Sequence, residues 1–180
     1  MGPGINGSRE PCAYTRDWLS PITRTKAFCL TQTIRTRVGG KLAIDKSDLS
    51  EGREFSKGEL EETFRINFGY QINGIVVRKL DRDSERRLIL LFQRNDGPYP
   101  DLVTKDKIKY VGAGLRGDQS LSGVNRILAD RGPVDGVHFF HQLGGSVKWK
   151  YLGHGTAHYL GEEHVGGRKL LMYDVQLNRE

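Results

Sequence analysis

The sequence predicts a β-rich α+β domain built on a sheet or a small barrel. Short runs rich in Val, Ile, Phe and Tyr recur along the chain between Gly, Asp and Asn residues, while helix-forming patterns are scarce. The 23 glycines among the 180 residues suit the tight turns and bulges of such a fold. With 37% hydrophobic residues, the chain is long enough for one domain with a single core.

Seven segments have the composition of β-strands. They are Ala27–Val38, Ile72–Lys79, Arg87–Gln93, Lys107–Val111, Gly136–Leu143, Ser146–Leu152 and Lys169–Leu177. Two further segments predict helices. In Gln119–Asp130 the apolar residues recur on one helical face, and Gly132-Pro133 is expected to end the helix. In Ser56–Phe64 we expect Ser56 to cap the N-terminus and Glu59 to complete a capping box.

Residues 1–50 are predicted to form a basic extension that precedes or packs on the main domain, residues 51–180. Residues 1–8 are rich in Gly, Ser and Pro without periodicity, so we expect them to be disordered. No apolar run reaches the roughly 18 residues that span a bilayer, and no signal-peptide pattern precedes the domain. Cys12 and Cys29 predict two reduced thiols. We therefore expect an intracellular protein (cytoplasm or nucleoid, if prokaryotic) without a membrane partner.

The charge favours an anionic partner, with nucleic acid the leading candidate. The formal net charge is +6 and the isoelectric point is about 9.4. Residues 1–50 hold eight basic against four acidic side chains, and residues 101–150 hold eight against five. If folding brings these two blocks together, they form a phosphate-binding face; otherwise they are scattered solubilising charges. The expected phosphate contacts are Arg35, Arg37, Lys41, Lys105, Lys107, Lys109 and Arg116.

The sequence contains no recognisable catalytic motif. The histidines His138, His141, His154, His158 and His164 fall within 27 residues. Their spacing does not match a metal site, because His138 and His141 on one strand point to opposite faces. The HExxH, GxSxG, Walker A, dinucleotide and D…ExK nuclease patterns are all missing from the sequence. We expect no metal, no cofactor and no catalytic residue, so any nuclease activity would belong to another domain or chain.

Tyr99, Asp101 and Tyr110 form a candidate base-recognition site around a turn. A carboxylate can accept a hydrogen bond from the N4 amino group of an extruded cytosine, and tyrosine rings can stack on the base. Small residues after the second tyrosine would leave room for the base and expose backbone groups to it. These are Gly112, Ala113 and Gly114. The alternative is that the tyrosines are ordinary core aromatics and that Asp101 caps a turn.

Short motifs follow one another in the order found in a known family. They are G-R-E-F at 52–55, Q-I-N-G-I at 71–75, Y-P-D at 99–101, Y-V-G-A-G at 110–114, D-Q at 118–119, N-R-I-L at 125–128, K-Y-L-G at 150–153 and G-R-K-L-L-M-Y-D-V-Q-L at 167–177. With these motifs the chain resembles the SRA (YDG) domains, which read modified cytosine in DNA by flipping it out of the duplex. It is especially similar to the SRA-like modules of modification-dependent restriction endonucleases. The resemblance implies a PUA-like twisted barrel with a few flanking helices.

The resemblance also implies roles for individual residues. Asp101 would accept hydrogen bonds from the Watson–Crick edge of the flipped cytosine, and Tyr110 and Tyr99 would stack on it. The backbone of residues 112–114 would line the pocket. Residues 69–74 would form a loop that enters the duplex. Gln71 would fill the vacated space, and the other inserting residues are Tyr70 and Asn73.

Two departures from the family pattern stand out. Only Leu115 and Arg116 separate Gly114 from G-D-Q, so the long insertion of the maintenance-methylation readers is missing. The finger that reads the opposite strand in those proteins therefore has no counterpart here. The acidic run after the Y-x-D motif is replaced by L-V-T-K-D-K.

The predicted function is recognition of 5-methyl- or 5-hydroxymethylcytosine in double-stranded DNA by base flipping. The chain would be the targeting domain of a modification-dependent endonuclease, with a fused or associated nuclease domain. Two alternatives belong to other classes. One is an RNA-binding module of the PUA, YTH or EVE kind, which shares a small barrel, a basic surface and an aromatic pocket. The other is a metal-dependent nuclease that uses the histidines between residues 138 and 164.

Overall fold

The computed structural model describes residues 49–97, 99, 102–104 and 107–178. The predicted strand Ala27–Val38 lies outside these residues. The elements, in chain order, are β1 (Glu54–Phe55), α1 (Lys57–Phe64), β2 (Ile75–Lys79), β3 (Arg87–Arg94), β4 (Leu102–Val103), β5 (Ile108–Val111), α2 (Gly123–Asp135), β6 (Val137–Gln142), β7 (Trp149–Val165) and β8 (Arg168–Leu177). The other six predicted strands and both predicted helices therefore correspond to observed elements.

The eight strands form one sheet, whose order is β2-β3-β6-β7-β8-β5-β4, with β1 paired to β7. Neighbouring strands are antiparallel except β3 and β6, which run parallel. Helix α2 lies in the connection that leads from β3 to β6. Because these two strands are parallel, their connection has to return from one end of the sheet to the other. The α+β class predicted from the sequence is confirmed.

The sheet separates two apolar cores, one on each face. The α2-side core includes Ile75, Ile89, Leu91, Ile108, Tyr110, Leu128, Phe139, Leu171 and Tyr173. The α1-side core includes Phe55, Leu60, Phe64, Leu88, Leu90, Phe92, Phe140, Trp149 and Tyr151. Strand β3 contributes alternate residues to both cores, which is why its sequence is an unbroken apolar run. A smaller cluster of Val111, Leu170 and Met172 lies on the outer face of β5 and β8.

The predicted barrel is wrong, because the sheet does not close. In the part of the chain that the structure describes, β2 and β4 are the two free ends of the strand order. The gap between β2 and β5 is bridged by a side chain, since the Tyr110 hydroxyl donates to the Gly74 carbonyl at 2.6 Å. The Gly74 carbonyl also accepts from the Phe92 N–H of β3, so this contact between β5 and the residue just before β2 is made by a side chain, whereas barrel closure would require a backbone ladder.

Helix α1 begins as predicted. The Glu59 backbone N–H donates to Ser56 Oγ at 3.3 Å, and the Ser56 N–H donates to Glu59 Oε2 at 2.7 Å. The two bonds form the expected capping box. Arg65 ends the helix in the left-handed conformation, with φ of 52°.

Helix α2 differs from its prediction at both ends. It begins at Gly123, because Gln119 is held in the sheet region by a backbone hydrogen bond to Lys169. It continues past Pro133 to Asp135, so the predicted stop at Gly132-Pro133 is wrong. Asp135 fixes this last turn by accepting hydrogen bonds from the Arg131 guanidinium at 2.8 and 2.9 Å and from the Arg87 backbone N–H at 2.9 Å.

Strand β7 is much longer than the predicted Ser146–Leu152. Its buried positions beyond Tyr151 are Gly153, Gly155 and Ala157, so the alternation of buried and exposed residues continues without large apolar side chains. A Cβ atom on Gly155 would lie 1.9 Å from the Gln176 carbonyl oxygen, which shows how closely β8 approaches there. In the described residues, no helix is both long and apolar enough to cross a membrane.

Candidate nucleic-acid interface

The loop of residues 69–74 is anchored to α1 at its N-terminal end. The Phe68 backbone N–H donates to Glu61 Oε1 at 2.9 Å, and Lys57 Nζ donates to the Gly69 carbonyl. Both side chains come from one face of α1, whose start is fixed by the capping box. Gly69 has φ of +69°, a conformation that favours glycine.

The C-terminal end of this loop is anchored to the sheet. The Gly74 carbonyl accepts from the Phe92 backbone N–H at 2.7 Å and from the Tyr110 hydroxyl at 2.6 Å. Only glycine fits this position without a shift, because a Cβ atom would lie 2.9 Å from the Tyr110 oxygen. Loop 69–74 is therefore tied directly to Tyr110, one of the predicted pocket residues.

The tip of loop 69–74 projects its side chains into solvent. Tyr70 is 100% exposed, and Gln71 and Asn73 are also exposed. Ile72 lies between them and packs against the α1-side core, which holds the loop on the domain. The three side chains predicted to enter a duplex are thus available on a loop with two fixed ends. Insertion itself stays a prediction.

Tyr110 is a buried residue of the α2-side core. It is 3% exposed, and its ring packs edge-on against Phe139 with centroids 6.0 Å apart. Tyr99 is partly buried and packs against the cluster that contains Val111. Because Tyr110 and Val111 are adjacent on one strand, the two tyrosines lie against opposite faces of β5. The structure does not bring them together, and stacking of both on one base stays a prediction. Asp101 lies outside the described residues.

The backbone of Gly112, Ala113 and Gly114 is held by two buried amide side chains. Gln119 Nε2 donates to the Gly112 carbonyl at 2.5 Å, while its Oε1 accepts from the Leu171 N–H at 2.8 Å. Asn125 pairs with Ala113 through both of its polar atoms: Oδ1 accepts from the N–H at 2.7 Å and Nδ2 donates to the carbonyl at 2.9 Å. The groups that were expected to face a base thus form hydrogen bonds within the protein. Their role in a pocket stays a prediction.

Gln119 and Asn125 are positioning residues that the sequence analysis left without a role. Both lie in motifs shared with the SRA pattern, D-Q and N-R-I-L. Asn125 also stands among the apolar positions of the α2 face, and a polar residue at such a position signals a buried hydrogen-bonding role. That signal could have identified it.

The predicted phosphate contacts fall into three groups. Lys107 and Arg116 are exposed, and Lys107 lies on a β4–β5 turn closed by hydrogen bonds to Thr104 of 2.9 and 3.0 Å. Lys109 forms an ion pair of 2.5 Å with Glu163, so a phosphate would have to compete with a carboxylate there. Arg35, Arg37, Lys41 and Lys105 lie outside the described residues.

Two histidines form an aromatic contact on the α1 side of the sheet. The rings of His138 and His154 lie 4.8 Å apart, and His138 Nδ1 is 3.0 Å from the Tyr151 hydroxyl. Burial, with a smaller contribution from His154, lowers the pKa of His138 from 6.5 to about 4. Over the described ranges, no group of three or more His, Cys, Asp or Glu side chains could hold a metal ion.

Comparison with known protein families assigns the chain to one of them. Residues 62–154, about half of the sequence, match the family described as the ScoMcrA-like SRA domain. The chain belongs to this SRA family. The matched region contains the last three residues of α1, loop 69–74, Tyr110, Gln119 and Asn125, so the loop and the glycine segment are parts of an SRA domain.

Solved structures give the same fold. The SUVH5 SRA domain bound to fully methylated CG DNA has a TM-score of 0.58 with 20% identity, covering 73% of this chain and 90% of that one. The same domain bound to fully hydroxymethylated CG DNA also gives 0.58 and 20%, covering 73% and 91%. Its complex with methylated CHH DNA gives 0.57 and 21%, covering 81% and 96%. No curated protein matches the chain.

Proposed function

We propose that this SRA domain binds double-stranded DNA and recognises a modified cytosine, 5-methyl- or 5-hydroxymethylcytosine, that has been flipped out of the duplex. The observation that carries the proposal is loop 69–74, which holds a fully exposed tyrosine between two fixed ends. A fully exposed aromatic ring on a loop with two fixed ends is available to stack on a base or to insert between bases. In an SRA domain, duplex DNA is the partner that gives this loop a function.

The SUVH5 SRA domain, which shares the fold, is bound to methylated DNA in one structure and to hydroxymethylated DNA in another. The net charge of +6 supports a polyanionic partner. We assign three contributions to binding. Basic side chains contact phosphates, loop 69–74 replaces the extruded base, and Asp101 with the tyrosines selects that base. A duplex DNA partner also implies that the protein acts inside the cell.

We infer that the chain itself binds DNA without cutting it. Its similarity to SRA-like modules of modification-dependent restriction endonucleases supports a targeting role. The nuclease would then be a fused domain or an associated chain. Incubation of the purified chain with modified plasmid and divalent metal ions is expected to leave the plasmid intact, and metal-dependent cleavage would contradict this assignment.

The direct test is binding to three duplexes that differ only at the C5 substituent of one cytosine. The chain is expected to prefer the methylated or hydroxymethylated duplex by about 10- to 200-fold, the range that one methyl group in an apolar pocket provides. Asp101→Ala should remove most of this preference and leave weak, salt-sensitive binding, because phosphate contacts do not depend on the pocket. Equal binding of all three duplexes by the parent chain would contradict the proposed function.

A further inference from the structure

One buried amide differs from the others in this domain. Gln93 is 4% exposed, and its Oε1 is the one buried side-chain nitrogen or oxygen atom without a hydrogen-bond partner among the described residues. Gln119 and Asn125 are equally buried, yet all of their side-chain polar atoms are bonded. A buried polar atom without a partner is costly, and in a native protein it calls for a functional explanation.

The free atom must be an acceptor. The other polar atom of the Gln93 amide lies 2.9 Å from the Arg94 carbonyl oxygen. A carbonyl oxygen accepts hydrogen bonds, so the atom facing it has to be the nitrogen, and the oxygen takes the other position. An N–H or O–H group from a ligand or from water can satisfy this oxygen.

The position of Gln93 connects it with the proposed base site. It lies two residues after Leu91 on β3, and therefore on the same face of the sheet, where Leu91 and Tyr110 share the α2-side core. The Tyr110 hydroxyl also lies 3.3 Å from the carbonyl oxygen of Phe92, which belongs to the peptide group that joins Phe92 to Gln93. The same hydroxyl holds Gly74 at the end of loop 69–74. Gln93 thus adjoins both the pocket tyrosine and the anchor of the loop.

We propose that Gln93 Oε1 accepts a hydrogen bond from the extruded base and is a specificity residue of the site. This inference rests on the proposed function. A modified cytosine offers two donors, the N4 amino group and, when hydroxymethylated, the hydroxyl group on the C5 substituent. Either donor would satisfy the free oxygen. Because Gln93 is buried without DNA, the base can reach this oxygen only after a local rearrangement around the end of β3.

The test is Gln93→Met, which keeps the length of the side chain and removes both the free acceptor and the Nε2 donor. The Arg94 carbonyl keeps the Gly97 backbone N–H as a donor at 3.1 Å. Gln93→Leu serves as a second variant. Gln142→Met is the matched control, because Gln142 is a buried amide at the same end of the neighbouring strand β6, on the opposite face. Thermal unfolding and affinity for duplexes with cytosine, 5-methylcytosine or 5-hydroxymethylcytosine are measured for each protein.

Both Gln93 variants should unfold close to the parent temperature, because removal of a buried oxygen without a partner offsets the loss of the Nε2 bond to the Arg94 carbonyl, which keeps its bond to the Gly97 N–H. Their affinity for modified duplexes should fall about three- to tenfold, the value of one hydrogen bond. Binding of the unmodified duplex, which depends on phosphate contacts and not on an extruded base, and all binding by the Gln142→Met control should stay unchanged. An equal loss for both modified duplexes identifies the N4 amino group as the donor. A loss confined to the 5-hydroxymethylcytosine duplex identifies the hydroxyl group.

Two results would overturn the proposal. One is a clearly lower unfolding temperature for both variants than for Gln142→Met, which would mean that removal of the oxygen does not offset the lost Nε2 bond and that the oxygen has an internal partner. The other is unchanged affinity for both modified duplexes while the parent chain still discriminates among the three, in which case the Gln93 assignment alone fails. Failure of the parent chain to discriminate would instead contradict the proposed function.

Discussion

At the scale of single residues, Tyr110 links the core to the candidate interface through one hydroxyl group. Replacement by Phe removes the hydrogen bond to Gly74 and keeps the ring, so Tyr110→Phe should lower the free energy of unfolding by about 1 kcal/mol. Urea denaturation measures this change. Tyr70→Phe is the control, since that hydroxyl is fully exposed and its removal should have no effect. Equal stability of the Tyr110→Phe protein and the parent would show that the bond is not formed in solution.

His138 should make the domain sensitive to mild acid. Its folded-state pKa is about 4, below its ordinary value of 6.5, so between these values the unfolded state binds the proton more readily. Stability should therefore fall as pH decreases from 6.5 towards 4, by up to about 3 kcal/mol. His138→Gln should lose less stability over this range than the parent. Parallel pH dependence of the two proteins in urea denaturation would contradict the lowered pKa.

Single residues also show where sequence analysis is sufficient and where it is not. The capping box at Ser56 was predictable because it depends on residues three positions apart. The opposite directions of the Tyr110 and Val111 side chains were likewise predictable, because neighbouring residues of a strand point to opposite faces of the sheet. The partner of Tyr99 was not, because a loop residue has no periodicity that fixes its direction. The clamp formed by Gln119 and Asn125 depends on contacts with distant segments, which a local pattern does not reveal.

At the scale of elements, loop 69–74 should affect binding without affecting stability. Tyr70→Ala and Gln71→Ala remove exposed side chains and should change the free energy of unfolding by less than about 0.5 kcal/mol. Each should weaken binding to a modified duplex. The Gln71 variant should regain affinity when the modified cytosine faces an abasic site, because extrusion then costs less.

Leu160→Ala is the control for these loop variants, since Leu160 is an exposed apolar residue on β7. Fluorescence anisotropy with paired and abasic duplexes gives the affinities. If both loop variants bind modified DNA as tightly as the control, the loop does not enter the duplex.

Elements differ in how well their sequences predict them. Strand β3 was readily predicted because both of its faces are covered by apolar residues. The second half of β7 was missed because Gly153, Gly155 and Ala157 occupy its buried positions, and small residues carry no hydrophobic alternation. Helix α2 passes its predicted stop because Asp135 fixes the last turn, through the Arg87 backbone N–H of β3 and the Arg131 guanidinium within the helix. These contacts outweigh the local effect of Pro133.

At the scale of the whole molecule, the basic surface should give binding a strong salt dependence. Lys107 and Arg116 are the exposed phosphate-binding candidates among the described residues. Their joint replacement by Ala should reduce the slope of log K against log salt concentration by about one for each phosphate that is no longer neutralised, on modified and unmodified duplexes alike. The matched control is Arg82→Ala with Arg86→Ala, two exposed arginines between β2 and β3, at the end of β2 away from loop 69–74. An unchanged slope for the Lys107 and Arg116 variant would mean that the DNA lies elsewhere, and an equal reduction by both pairs would mean that the effect comes from net charge alone.

The fold class was predictable from the sequence, but the open sheet was not. Closure depends on how the ends of the strand order meet, and here a tyrosine side chain of β5 forms a hydrogen bond with the residue just before β2, without a backbone ladder between the two strands in the described residues. The same hydrogen bond joins loop 69–74 to the candidate pocket, so the feature that departs from the predicted barrel also links the two parts of the proposed mechanism.

Base flipping is the central claim, and fluorescence of 2-aminopurine tests it most directly. The probe is placed beside a single modified cytosine in a duplex, where stacking quenches it. Binding of the parent chain should increase its fluorescence as the neighbouring cytosine leaves the stack, and a duplex with unmodified cytosine should give a smaller increase. Tight binding of the modified duplex with no change in fluorescence would mean that the base is read inside the helix, and would contradict the proposed mechanism.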